Sequence, residues 1–310
     1  MTANSGWRPR HDDPLFILAM DHRESFGRTL FDVKNDQPDA AEVAAMRAAK
    51  HLIYEGLREA LPAVTHGRIG VLVDERYGQS VIDSVRGSEQ PLVLAVPVEA
   101  SGHEWFTLEW GQEWLKHVET VRPDYSKVLV RDNPDFDPKE REGQFERLAE
   151  VSAGLRGIGV PMLYELLVPA TDAQLAQAGQ DAARYDHDIR PGLVTRVIAD
   201  NYAHGVEPAI WKVEGLETVA AARQVAEQAK AGGRTTDLIV LGRDAPADRL
   251  DHWLEVACQV EEFVGFAIGR SIWEDAVRGY EASDRGEAAV ARVRDQVAER
   301  YLGFIAHWKR

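Results

Sequence analysis

At 310 residues and 45% hydrophobic content, the chain is long enough to bury one large core or two small ones, and nothing in its composition suggests disorder. Its formal charge of −15 argues against nucleic acid or an anionic membrane as partner, because both would repel it at long range, and leaves a small metabolite as the expected ligand. Cys258 is the single cysteine, which excludes an internal disulfide; residues 1–14 lack the apolar core of a signal peptide and no run reaches membrane-spanning length, so a cytoplasmic protein is expected.

Residues 1–14 are polar and are expected to form a flexible segment ahead of one domain, 15–310. The first strand is LFILAMD (15–21), and the helix after it is marked by Val43, Met46, Leu52 and Leu57. RIGVLVDE (68–75) and LVLAVPVE (92–99) are the next two strands. The region 99–123 carries Trp105, Trp110 and Trp114 and is irregular at least in part; the tryptophans suit a lid, a subunit contact or a packed helix face. YSKVLVR (125–131) is followed by the acidic stretch 132–142, a solvated loop and helix start, and by a helix built on Phe145, Leu148, Val151 and Leu155. PMLYELLV (161–168) and AIWKVEG (209–215) follow as strands five and six. Residues 216–230, rich in Ala, Glu and Gln, form a helix that stops at Gly232-Gly233. LIVLGRD (238–244) and VGFAIGRS (264–271) complete the strands, and Val290, Val293, Val297 and Leu302 mark a closing helix. Its aromatic residues Tyr301, Phe304 and Trp308 could pack against a neighbouring subunit, which leaves a homo-oligomer open.

Eight near-continuously apolar strands alternating with amphipathic helices call for a parallel sheet covered on both faces, and eight such units favour an α/β fold closed as a single (β/α)8 TIM barrel. An open doubly wound sheet is the alternative. Against it, AMDHRESF follows the first strand where a GxGxxG turn would stand. No repeat, low-complexity stretch or linker marks a second domain.

In a barrel, side chains of each strand alternate between the interior and the helices, and catalytic groups gather at the C-terminal ends. Lys212 and Glu214 then share one direction, and Trp211 and Val213 the other. Lys127 falls with Leu129 and Arg131, and Glu165 with Leu163 and Leu167. Asp21 and Asp74 end the first two strands, and Arg270 and Ser271 the eighth. The chain has 8 lysines among its 36 basic residues, so two of them in strand interiors is notable. Burying an ammonium is costly unless a carboxylate or a substrate compensates it. Two readings follow: a structural ion pair of Lys212 with Glu214 or Glu165, or a nucleophilic amine, its pKa lowered by dry surroundings and by Lys127, that forms an iminium with a ketone while Glu165 moves the hydroxyl proton beside the cleaved bond.

The stretches LFILAMDHRESF, VLVDERYG, KVLVRDNPD, YELLVPAT, IWKVEG and GFAIGRSIW, which span nearly the whole chain, resemble the class I aldolases of the tagatose-1,6-bisphosphate aldolase type. They are more similar still to the aldolase-like domain often fused to 5-dehydro-2-deoxygluconokinase in inositol catabolism. The resemblance implies a Schiff-base lysine at Lys212, an acid/base at Glu165, and substrate contacts from Asp21, Arg23 and Lys127. It also implies a phosphate-binding end at Gly269, Arg270 and Ser271. No cofactor and no metal are expected. Independently, loops after the seventh and eighth barrel strands commonly hold a phosphate, and Gly242 and Gly269 would let backbone approach it; the alternative is that these glycines merely ease strand-to-loop turns. The implied substrate is 2-deoxy-5-keto-gluconate 6-phosphate, cleaved to dihydroxyacetone phosphate and malonate semialdehyde. With no kinase half attached, a separate enzyme is expected to phosphorylate it. The chain departs from the tagatose type at Asp21-His22-Arg23, where a histidine stands between the acid and the base, so the substrate could differ. Arg23, Arg76 and Arg131 are candidates for a substrate carboxylate or for plain rim positions.

A metal-dependent aldolase would need several imidazoles converging at strand ends, and only His22 is there; His66, His103, His187 and His204 fall in loops or helix ends, without HxH or HExxH spacing. The other classes are a non-catalytic sugar-phosphate binding module, which needs Arg270 but neither Lys212 nor Glu165, and an isomerase or epimerase with Glu165 as base.

Overall fold

The computed structural model describes residues 6–243 and 245–308; Asp244, the last residue of the seventh expected run, and residues 1–5 of the N-terminal segment lie outside them. The eight apolar runs are strands: β1 (Leu15–Ala19), β2 (Arg68–Leu72), β3 (Val93–Pro97), β4 (Tyr125–Arg131), β5 (Met162–Leu167), β6 (Ile210–Glu214), β7 (Asp237–Leu241) and β8 (Phe263–Ile268). Each pairs in parallel with its neighbours in chain order, and β1 pairs with β8, so the sheet closes on itself as a (β/α)8 barrel.

Alternation along the strands sorts the apolar residues into two cores. Leu15, Ile17, Ala19, Leu163, Ile210 and Ile239 fill the barrel interior. Phe16, Leu18, Tyr164, Trp211, Val213 and Val240 face outward into the larger core beneath the helices. The parity that puts Leu163 and Ile210 inside also puts Glu165 and Lys212 inside, and they are direct partners in the β5–β6 register.

The helices are α1 (Glu24–Phe31), α2 (Ala40–Ala60), α3 (Glu75–Arg86), α4 (Trp114–Val121), α5 (Pro138–Ile158), α6 (Asp172–Gln177), α7 (Ala182–Arg184), α8 (Arg190–Ala203), α9 (Val219–Ala229), α10 (Ala247–Ala257), α11 (Arg270–Glu281) and α12 (Glu287–His307). Their ends follow local chemistry. Asp39 and Glu42 form a capping box on α2, and Asp137 caps α5, which opens on Pro138 and closes on Gly159 at φ 72°. Thr218 caps α9, so that helix begins later than its composition alone indicates. No helix among the described residues is long and apolar enough to cross a membrane.

Three sequence expectations change. The aromatic residues of α12 are buried within the protomer, where the Tyr301 hydroxyl donates to the Phe16 carbonyl at 2.8 Å, so they offer no face to another subunit. The tryptophans of 99–123 do not share a helix face: Trp114 is buried at the start of α4, Trp105 meets Phe136 edge-on, and Trp110 lies exposed and stacked on His117 at 4.0 Å. The stretch 132–142 opens inside rather than in solvent, because Arg141 holds the fully buried Asp132 in a bidentate pair at 2.7 and 3.0 Å. Ahead of β1, the Trp7 indole donates to Asp13 at 2.7 Å, and His11 lies 3.0 Å from the Phe263 carbonyl.

Candidate active site

At the C-terminal ends of the strands lies a cavity of about 320 Å3 into which the charged strand residues project. A wider opening of about 1070 Å3 lies at the opposite end of the barrel, where Tyr125, Ile210 and Asp237 begin their strands. The smaller cavity is the candidate site, since active sites of such barrels lie at the C-terminal face.

Its floor is a chain of ion pairs. Lys212 Nζ stands 2.8 Å from Glu165 Oε1, and the other oxygen of Glu165 is 3.0 Å from Lys127 Nζ. Lys127 also donates to Asp21 and to Glu99, each at 2.7 Å. Arg23 in turn donates to the Glu99 carbonyl at 2.7 Å and lies 3.6 Å from the Glu99 carboxylate. All six side chains are buried, and three carboxylates oppose three cations, so the net charge of the floor is near zero. The short distances follow from the β5–β6 register and from Lys127 entering one strand earlier with inward parity.

Burial and partners pull these groups apart. For Asp21, burial opposes ionisation, but Lys127, His22 and Lys212 outweigh it and hold the carboxyl well below the usual range. Glu165 is likewise lowered, with burial overcome by Lys127 and Lys212. Glu99 goes the other way: burial raises it more than Lys127 and Arg23 lower it. Burial works against the charge of Lys127, yet Asp21, Glu165 and Glu99 hold its proton far above the ordinary lysine value. Burial pushes His22 down to about 4, against the pull of Asp21. The floor therefore holds two firmly ionised carboxylates, a firmly protonated ammonium and a neutral imidazole at neutral pH.

Every expected site residue, Lys212, Glu165, Lys127, Asp21, Arg23, Arg131, Gly242, Gly269, Arg270 and Ser271, lines this cavity. Arg23 is engaged by Glu99 and by Glu109 at 3.3 Å, whereas Arg131 lies exposed at the rim. Arg76 is outside the cavity and 3.7 Å from Glu24. Gly269 stands immediately before α11, and a Cβ there would lie 2.5 Å from the Ala19 carbonyl; a Cβ on Gly242 would find only ordinary contacts. Glu214 turns away from Lys212: it accepts from Val168 N–H at 2.9 Å and pairs with Arg243 at 2.8 Å. Asp74 caps α3 and pairs with Lys50 behind the cavity. Of the other histidines, His103 lines the cavity, His204 stacks on Phe145, His187 is exposed beside Asp188, and His66 meets Phe16 edge-on.

Sequence reasoning missed Glu99, although it ends its run as Asp21 and Asp74 end theirs. It also missed Lys50, whose signal is its place on the apolar face of α2, four residues after Met46 and three before Ile53. Among the described residues no three His, Cys, Asp or Glu side chains are grouped so as to hold a metal ion.

The profile of one protein family, described as "Uncharacterized protein conserved in bacteria (DUF2090)", matches residues 4–310. No curated protein matches the sequence significantly. Among solved structures, Cgl0159 from Corynebacterium glutamicum superposes with a TM-score of 0.53 at 17% identity, over 92% of this chain and 86% of that one. The YdjI aldolase from Escherichia coli K12 gives 0.50 at 11% identity, over 96% and 92%. A candidate fructose-1,6-biphosphate aldolase from Coccidioides immitis gives 0.51 at 12% identity, over 96% and 89%. At these identities the likeness is one of fold.

Proposed function

The chain belongs to the DUF2090 family of proteins conserved in bacteria, and within that family we propose that it is a Schiff-base aldolase that cleaves a phosphorylated ketose or keto-sugar acid. The observation that carries this reading is the pairing of two buried groups at the cavity floor, Lys212 Nζ and Glu165 Oε1, 2.8 Å apart. The barrel it shares with the YdjI aldolase is consistent with it.

The geometry supports a stepwise account. Glu165 accepts a proton from the Lys212 ammonium, the free amine attacks the substrate ketone, and Glu165 hands its proton to the carbinolamine hydroxyl, which leaves as water to give an iminium and restores the carboxylate. Glu165 then takes the proton of the hydroxyl carried by the far carbon of the bond to be broken, the carbon that leaves as the aldehyde. That C–C bond cleaves, its electron pair moves into the iminium to give an enamine, and the aldehyde leaves. Protonation of the enamine carbon and hydrolysis restore the lysine and release the ketone product. Lys127, fixed by Asp21 and Glu99, keeps a positive charge beside the oxygen that loses its proton. Arg270 and Ser271, at the start of α11, suit a phosphoryl group, with a guanidinium fork and a helix N-terminus.

The substrate favoured by the resemblance of the strand-end motifs is 2-deoxy-5-keto-gluconate 6-phosphate. Its C3–C4 bond would break to dihydroxyacetone phosphate and malonate semialdehyde. Arg131, facing the cavity with Lys127 and Leu129, is the guanidinium suited to its carboxylate, since Arg23 is already engaged by glutamates. Borohydride reduction in the presence of dihydroxyacetone phosphate tests the reading. A stable adduct should appear by peptide mass on Lys212, and its absence would point to a binding module or to an isomerase.

A further inference from the structure

His22 has no task in the chemistry above. It follows Asp21 beyond β1, and its ring lines the cavity together with Arg270 and Ser271. Three contacts fix it. The Trp273 ring meets it edge-on with centroids 5.5 Å apart, and that indole is itself anchored by its N–H donating to the Ala19 carbonyl at 2.9 Å. Gly269 leaves room for it, since a Cβ there would stand 3.1 Å from His22 Cε1. The backbone carbonyl of His22 accepts from the buried Lys50 ammonium at 2.9 Å.

The two ring nitrogens are unequal. Nδ1 is enclosed without a hydrogen-bond partner, so the ligand contact is assigned to Nε2. The ring lines the same cavity as Lys212 and Arg270 and sits within electrostatic reach of Asp21, Arg270, Lys212 and Glu165. A second proton is disfavoured there, so the ring acts as one N–H donor and not as a charge.

We propose that His22 is a specificity-determining contact for the substrate's phosphoryl end, its Nε2–H donating to a phosphoryl oxygen that Arg270 also engages while Lys212 holds the carbonyl carbon. This rests on the roles proposed above for Arg270 and Lys212. It gives a reason for the departure at Asp21-His22-Arg23: the imidazole recognises an oxygen by hydrogen-bond geometry beside a guanidinium that supplies the charge.

The test is calorimetric titration of the full chain with inorganic phosphate, in wild type and in His22→Ala, His22→Leu and His22→Gln. Loss of the donor in the Ala and Leu variants should weaken phosphate binding roughly tenfold, while the amide of His22→Gln should keep it within about threefold. Borohydride trapping adds the second measurement, because His22→Ala should lose roughly tenfold more with dihydroxyacetone phosphate than with dihydroxyacetone. Unchanged phosphate affinity in both donor-less variants, or a loss in His22→Gln as large as in His22→Ala, would overturn the proposal. A wild type that binds phosphate through His22 yet traps no adduct would leave this contact standing and remove the role of Lys212.

Discussion

Lys212 can be read as an ion pair or as a nucleophile, and the side chains around it bear on the choice. A purely structural pair needs one carboxylate for one ammonium. Here Glu165 is shared by two ammonium groups at the edge of a cavity, which is costly to maintain for stability alone. Lys212→Met is therefore expected to lower kcat by roughly 10^3-fold or more and to abolish borohydride trapping, read by aldehyde release and peptide mass. Glu165→Gln keeps the volume but removes the proton carrier, so kcat should fall by about 10^2- to 10^4-fold, while trapping at Lys212 should become slower yet still go to completion at saturating ketone. A trap lost in Glu165→Gln as completely as in Lys212→Met would show that no other base can free the Lys212 amine. These residues were legible because a charge inside an apolar strand is rare and parity fixes its direction. Glu99 was not, since an irregular segment follows it and nothing local says that Lys127 reaches across from the next strand to meet it.

A helix in this barrel takes its place through charge as well as through its apolar face. Met46, Leu52 and Leu57, readable from their spacing, are buried on α2 together with Ile53 and Tyr54. Less readable is that the fully buried Lys50 crosses from α2 to Asp74, the cap of α3, and to the Met20 carbonyl at 2.7 Å, tying three elements together just behind the cavity. Lys50→Met should leave Asp74 buried without its partner and cost about 3–5 kcal/mol in urea unfolding, with much of the loss recovered in the Lys50→Met, Asp74→Asn double variant. At the other end of the barrel, Asp237 opens β7, and burial, only partly offset by Lys230 and Arg8, raises its carboxyl from 3.8 to about 6. The fold thus favours the protonated acid. Its contribution is most favourable below pH 3.8 and is lost as pH rises through about 6. Asp237→Asn removes that dependence, so unfolding midpoints should shift in favour of the variant between pH 4.5 and pH 7.5, and a constant difference would refute the assignment.

At the scale of the whole molecule, the rhythm of eight strand-helix units could be read directly, because each strand is apolar on both faces and each helix on one. How the ring closes could not. VGFAIGRS reads as an ordinary strand, and the need to match two neighbours at once emerges only when β8 meets both β7 and β1. The β7–β8 register slips between Leu238 and Val240, which pair with Phe263 and Phe266, while β1 pairs Leu15 with Gly265. The extra residue is taken up at Gly265, whose φ is +141°, a conformation that L side chains rarely adopt. A Cβ there would lie 1.9 Å from the Leu15 carbonyl oxygen and 2.7 Å from its carbon, so backbone, not a movable side chain, stands in the way. Gly265→Ala must open the β8–β1 seam or distort β1, which carries Asp21 and His22 at its end. The expected outcome is a loss above about 4 kcal/mol in unfolding free energy, or no folded protein on gel filtration. Gly157→Ala serves as the comparison, since this α5 glycine has nothing within 4 Å of a new Cβ and should gain up to about 1 kcal/mol from helix propensity. If the two variants unfolded at the same urea concentration, closure of the barrel would not depend on the bulge at Gly265.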